Sequence, residues 1–92
     1  MAHIDLNSDL GESLGAWRMV LGLTAQQVSE RAGITRDTLR KIESGNPNVS
    51  FNSVTQVLRA LGILDQLVDA ADPLASDIGR LRAGRLTRKR AR

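Results

Sequence analysis

The chain has 92 residues, which allow one small domain and a tail. It contains no cysteine, so a disulfide framework and a thiolate metal site are excluded. No apolar run approaches the roughly 20 residues that span a bilayer. The first ten residues lack the basic region and the long apolar block of a signal peptide. We therefore expect a soluble cytoplasmic protein.

The net charge of +3 is unevenly distributed along the chain. Residues 1–72 carry six basic and nine acidic side chains, whereas residues 73–92 carry seven basic side chains and one acidic one. The first segment is therefore mildly acidic, at −3, and the second strongly basic, at +6. The basic character belongs to the C-terminal segment and does not by itself show that the domain binds nucleic acid.

Helix 1 is predicted from a capping signal and an apolar repeat. Asp9 and Glu12 have the spacing of a capping box, which favours a helix start there. Gly22 suits the left-handed position at which a helix ends. Between them, apolar side chains recur at helical spacing and predict a buried stripe. The stripe consists of Leu10, Leu14, Trp17 and Leu21.

Two short helices follow, separated by a tight turn. Thr24 and Gln27 have the spacing of a second capping box, which predicts helix 2. Gly33 fits the left-handed position after that helix, and Thr35 is a good N-cap for helix 3. Ser50 is expected to cap helix 4. The sequence thus predicts two helices joined by a three-residue turn, followed by further helices.

The last part of the chain divides into a helix and a tail. Apolar residues between 63 and 68 predict a short helix 5 that closes before Asp72-Pro73. No segment shows the strict alternation of a strand, so we predict an all-α fold. Beyond Pro73 arginine dominates, and we expect a tail that is disordered when free, with one helical turn around Ile78 to Leu81. The predicted division is a lead-in (1–8), a domain (9–72) and a basic tail (73–92).

Helix 3, from about Arg36 to Ser44, separates a charged face from a core face. At about 100° per residue, its charged side chains cluster on one side, nearly opposite Leu39 and Ile42. The charged side chains are Arg36, Asp37, Arg40 and Lys41. A companion helix across a short turn would hold such a helix rigidly with its charged face outward.

These features resemble the lambda-repressor-like, Cro-type (XRE) helix-turn-helix family. The resemblance covers about Leu10 to Val68. It implies a five-helix domain that binds double-stranded DNA as a homodimeric, cytoplasmic and nucleoid-associated repressor of a prokaryote or phage, with no cofactor or metal. The residues that carry it are Leu23, Thr24, Val28, Gly33, Ile34, Thr35, Thr38, Leu39, Ile42, Glu43 and Gly45.

The same resemblance implies which residues contact DNA. Helix 3 would reach base edges, and the N-terminus of helix 2 would hold a phosphate. Many family members have glutamine at the position of Ala25, and Gln26 or Gln27 could substitute for it here. The predicted contacts are Thr24, Gln26, Gln27, Thr35, Arg36, Asp37, Thr38, Arg40, Lys41 and Asn46. Arg18 and Glu43 are expected to form a structural ion pair.

Plainer interpretations stand beside several of these contacts. Asp37 and Lys41 have the spacing of an intrahelical ion pair on a solvated face. Arg40 could face phosphate or solvent, and Asn46 could be an ordinary turn residue. Trp17 could belong to the core or to a dimer surface.

We expect a transcriptional repressor and not an enzyme, because one histidine and no cysteine or tyrosine leave no catalytic constellation. The alternative is an antitoxin of a toxin–antitoxin module, which would repress its own operon and bind a toxin through residues 73–92. The tail could also add phosphate contacts or simply keep the protein soluble.

Overall fold

The computed structural model describes residues 5–86, and every regular element within them is helical. The elements are α1 (Leu6–Val20), α2 (Ala25–Ala32), α3 (Arg36–Glu43), α4 (Phe51–Ala60), α5 (Leu64–Ala71), a 3₁₀ turn (Pro73–Ala75) and α6 (Asp77–Leu81). The prediction of an all-α fold is confirmed. Residues 1–4 of the lead-in and 87–92 of the tail lie outside the described residues. No helix in the described part of the chain combines the length and hydropathy that crossing a bilayer requires.

Side-chain caps fix where three of the predicted helices begin. The Thr24 hydroxyl accepts a hydrogen bond from the backbone N–H of Gln27 at 3.0 Å, and the Gln27 side chain accepts one from the N–H of Thr24 at 2.9 Å. This reciprocal pair is the predicted capping box of α2. Thr35 and Ser50 likewise accept from the backbone N–H three residues ahead and cap α3 and α4.

The predicted start of the first helix is wrong by four residues. The helix begins at Leu6, because Asp5 provides an earlier cap than Asp9 does. One Asp5 carboxylate oxygen accepts from the Ser8 backbone N–H at 3.1 Å and the other from the Ser8 hydroxyl at 2.9 Å. These hydrogen bonds lower the pKa of the Asp5 carboxyl. Residues 6–8, assigned to the lead-in, are therefore helical.

The core lies where α1 to α4 meet. Its buried apolar side chains are Leu14, Val28, Ala32, Leu39, Ile42, Val57, Leu58 and Leu61. The prediction that the apolar repeat of α1 forms a buried stripe is wrong for three of its four members. Leu10, Trp17 and Leu21 are 47%, 43% and 46% exposed, and only Leu14 is enclosed. Helix α5 packs chiefly against α4 and the 3₁₀ turn, and this flank of α1 stays nearly half exposed.

The first part of the basic tail is folded, contrary to the expectation of disorder. Asp72 accepts from the backbone N–H of Leu74 at 3.0 Å, and Ser76 accepts from that of Gly79 at 3.1 Å. Gly79 lies so close to Pro73 that a Cβ atom at this position would overlap the Pro73 backbone. Two caps and this close contact order the 3₁₀ turn and α6, and α6 contains the predicted helical turn.

Helix α1 approaches the C-terminal end of α3 backbone to backbone. A Cβ atom on Gly11 would overlap the carbonyl oxygens of Ile42 and Glu43. Gly45, which follows α3, has φ +80° and lies so close to α1 that its Cβ would be 2.6 Å from the Ser8 Cα. A side chain at either position would force the two helices apart. These two glycines therefore fix the distance between α1 and the end of α3.

Candidate nucleic-acid interface

A tight turn sets the direction of α3 relative to α2. Gly33 has φ +69°, in the left-handed region that favours glycine. The backbone N–H of Ile34 then donates to the Ser29 carbonyl at 3.0 Å, and the Ile34 side chain packs against the core. Thr35 begins the next helix at once. The turn holds α3 firmly across α2, as the family resemblance implied.

Helix α3 buries one face and exposes the other. Leu39 and Ile42 are 1% and 4% exposed, in the core that α3 shares with α1, α2 and α4. Arg36, Asp37 and Arg40 lie on the exposed side. Lys41 and Thr38 are half-buried at its edges. The charged face therefore stands free of the rest of the described chain.

The charges on this face are partly paired with one another. Asp37 accepts from Arg40 at 2.8 Å and lies 3.3 Å from the Lys41 ammonium group. The hydrogen bond from Arg40, followed by that from Lys41, lowers the pKa of the Asp37 carboxyl. The plainer interpretation of an intrahelical ion pair thus describes the free protein. Within residues 5–86, the Arg36 guanidinium takes part in no hydrogen bond or ion pair.

The N-terminus of α2 keeps hydrogen-bond donors available after capping. The capping box uses the acceptor oxygens of Thr24 and Gln27. The hydroxyl hydrogen of Thr24 and the amide NH₂ group of Gln27 are donors, as phosphate oxygens require. The Gln26 amide donates to Glu30 at 3.0 Å, an exposed contact that a phosphate could replace. The helix dipole adds partial positive charge at the same end.

The remaining predicted contacts have local roles in the free chain. Thr35 donates its hydroxyl hydrogen to Thr38 at 2.9 Å while its oxygen caps α3, so Thr38 keeps its own hydroxyl hydrogen. The Asn46 side-chain oxygen accepts from the backbone N–H of Asn48 at 2.7 Å and shapes the loop after α3. Asn46 thus serves as a turn residue here, and its amide NH₂ group is the part that could donate to a phosphate.

A shallow groove connects the start of α2 to the outward face of α3. It is lined by Arg18, Ala25, Arg36, Asp37, Leu39, Arg40, Glu43 and Ser44. Ser44, which donates its hydroxyl hydrogen to the Lys41 carbonyl at 3.0 Å, was not among the predicted contacts. Its spacing of four residues from Arg40 was the signal that could have identified it. Of the predicted contacts, Arg36, Asp37 and Arg40 line this groove, and Ala25 is the one α2 residue that borders it.

A bidentate ion pair braces α3 against α1. The Arg18 guanidinium donates to the two carboxylate oxygens of Glu43 at 2.8 and 3.2 Å, and to the Leu23 carbonyl at 3.3 Å. The hydrogen bond to Glu43 raises the pKa of Arg18. Both side chains are about four-fifths shielded from solvent, at 20% and 21% exposure. The pair ties the C-terminal end of α3 to α1 and leaves Arg36, Asp37 and Arg40 exposed.

Comparisons with known proteins agree with this architecture. The sequence model of a family described as Helix-turn-helix domain matches residues 9–71. An "Uncharacterized HTH-type transcriptional regulator" of Methanothermobacter thermautotrophicus is 40% identical over 45 residues, which cover 49% of this chain and 65% of that protein. A 5-oxoprolinase subunit of Paracidovorax citrulli is 38% identical over 88 residues, which cover 83% of this chain but 35% of that protein. The comparison with solved structures found no match.

The brace between α1 and α3 makes a testable contribution to stability. We expect Glu43→Gln to lower the free energy of unfolding by about 2 kcal/mol, because it leaves a largely shielded guanidinium without its charged partner. Urea unfolding followed by circular dichroism measures this loss. Asp77→Asn is the control, since it removes an exposed ion pair of α6 and should cost less than about 1 kcal/mol. Equal losses from the two substitutions would contradict the assigned role of the brace.

Proposed function

Because the chain belongs to the helix-turn-helix family of Cro-like (XRE) DNA-binding transcriptional regulators, we propose that it is a repressor that inserts α3 into the major groove of an operator. The observation that supports this most is the exposed charged face of α3, held by the tight turn and by the Arg18–Glu43 brace. An α-helix fits the major groove, where each base pair shows a distinct pattern of donors and acceptors.

The charged side chains differ in what they can recognise. Arg36, which no described residue engages, can donate two parallel hydrogen bonds to guanine O6 and N7. Asp37 can only accept, so the amino group of cytosine is its natural partner. Lys41 can reach guanine or a phosphate, and Arg40 a phosphate. The half-site that suits this surface contains a G·C pair opposite the N-terminus of α3.

Contacts to the DNA backbone would position the helix. Thr24, Gln26 and Gln27 offer donors at the start of α2, where the helix dipole favours a phosphate. Thr38 and Asn46 offer donors at the two ends of α3. Phosphate contacts carry no sequence information but set register and orientation. The proposed interface therefore has base-reading residues in its centre and backbone contacts on either side.

We further propose that two copies of the chain bind together. Leu10, Trp17 and Leu21, each close to half exposed, form an apolar flank of α1 that could pack against a second copy. Two-fold symmetry would place the two reading helices in successive major grooves, about 34–36 Å apart. The operator would then be an inverted repeat. Occupancy of an operator that overlaps a promoter is sufficient for repression.

Selection of binding sites from random duplexes tests the proposal. We expect an inverted repeat with a G·C pair in each half-site, and we expect Arg36→Ala to lose about 1–3 kcal/mol of discrimination at that pair alone. Arg31→Gln, at the C-terminal end of α2, is the control and should keep the preference. Selection of A·T pairs alone at that position would count against Arg36, and failure to enrich any sequence would overturn the proposed function.

A second candidate function is that of an antitoxin that also represses its own operon. The observation that favours it is the folded start of the tail, where Leu74, Ile78 and Leu81 are 50%, 60% and 85% exposed beside arginine side chains. Such a surface suits an acidic protein partner with an apolar patch.

Deletion of residues 73–92 separates the two candidates. If the chain is an antitoxin, it should co-purify with the co-expressed product of a neighbouring gene, and the deletion should abolish that association while operator binding remains. Absence of any such association with the full chain would remove the antitoxin candidate.

A further inference from the structure

The outward face of α3 carries one carboxylate among three cations. The two oxygens of Asp37 engage different partners, since Oδ1 lies 2.8 Å from Arg40 and Oδ2 lies 3.3 Å from the Lys41 ammonium group. Arg36, directly before Asp37 in sequence, is left out of this arrangement. Asp37 therefore holds two of the three cations of this face against the helix and leaves the third free.

These contacts are exposed and can be exchanged. The side chains of Asp37, Arg40 and Lys41 are 60%, 68% and 43% exposed. Exposed ion pairs are weak and are screened by salt. A phosphate group could therefore take either cation from Asp37. The carboxylate would then need a donor of its own, because it would otherwise face the acceptors and negative charges of DNA without a partner.

The donors that DNA can offer to a carboxylate depend on sequence. In the major groove they are the amino groups of cytosine and adenine, whereas guanine and thymine present acceptors, and thymine also a methyl group. On most sequences Asp37 would thus be repelled and would keep its two cations. At a site with an amino group opposite Asp37, the carboxylate would be satisfied and both cations would be free to bind phosphates.

We infer that Asp37 is a positioning residue that suppresses non-specific DNA binding, by holding Arg40 and Lys41 until a base amino group replaces them at its carboxylate. This inference rests on the proposed DNA-binding function and deepens it. Arg36 is not held by Asp37, so it is available to contact DNA on any sequence. Arg40 and Lys41 contribute fully only at the correct site. The lowered pKa of Asp37 is consistent with a carboxylate that stays charged and paired in the free protein.

The salt dependence of binding reports how many cations meet phosphates. Each phosphate that a cation neutralises adds about 0.9 to the slope of log affinity against log salt. Replacing Asp37 by asparagine keeps the shape of the side chain but removes its charge, so Arg40 and Lys41 become available on any sequence. On random-sequence duplex, Asp37→Asn should steepen the slope by about one to two and raise affinity roughly three- to tenfold. Affinity for the selected operator should stay the same or fall.

Fluorescence anisotropy with the full chain, on random-sequence duplex and on the selected operator between roughly 50 and 200 mM salt, tests this inference. Asp69→Asn is the matched control, because it removes one exposed carboxylate of α5 and changes net charge equally. Asp37→Glu keeps the carboxylate, so its affinity for random-sequence duplex should stay as weak as that of the unaltered chain. When Arg40→Gln and Lys41→Gln are already present, Asp37→Asn should no longer steepen the salt slope, since that change passes through the two cations.

The outcomes separate this inference from the function on which it rests. If Asp37→Asn raises non-specific affinity no more than Asp69→Asn, or steepens the salt slope just as much when Arg40 and Lys41 are already replaced, the inference is overturned while DNA binding stands. If the unaltered chain binds no duplex at the lowest salt, the proposed function fails. An NMR titration of the free chain tests the pairing without DNA, and an ordinary Asp37 pKa would overturn the inference by itself.

Discussion

The architecture depends on the close packing of α1 against the C-terminal end of α3. Gly11 lets the two backbones touch, and the Arg18–Glu43 pair locks the contact with two hydrogen bonds. An eight-residue helix is too short to be stable alone in water, so α3 takes its shape and direction from its neighbours. The brace engages the C-terminal end of α3 and borders the same groove as Arg36 and Arg40. It leaves those two side chains exposed to solvent.

The outward face of α3 carries cations that attract DNA and one carboxylate that limits how strongly they bind it. Three cations attract a polyanion, yet the carboxylate among them pairs with two and limits how strongly the face binds any duplex. The caps of α2 and α3 use side-chain oxygens as acceptors, so the hydroxyl hydrogens of Thr24 and Thr38 have no protein partner among the described residues. The contacts that hold Arg40 and Lys41 at the carboxylate are exposed, and a nucleic acid could replace them.

Local chemistry made much of this structure predictable from sequence. Thr24, Gln27 and Thr35 are residue types whose side chains bond to backbone N–H groups a few positions away, so they predicted the starts of α2 and α3 correctly. The start of α1 was wrong because two caps compete there, and Asp5 lies first. The exposure of Trp17 was not predictable from periodicity, which identifies an apolar face but not what covers it. The order of residues 73–81 depends on a backbone contact at Gly79 that composition does not reveal.

The central claim is that the start of α2 and the outward face of α3 together meet duplex DNA. Backbone amide chemical shifts of the full chain, followed by NMR during titration with its selected operator, test this claim most directly. The account predicts that the largest chemical-shift changes fall at residues 24–27 and 35–46, and that the amides of α4 and α5 change little. Changes concentrated on α4 and α5, with the amides of α3 unmoved, would contradict it.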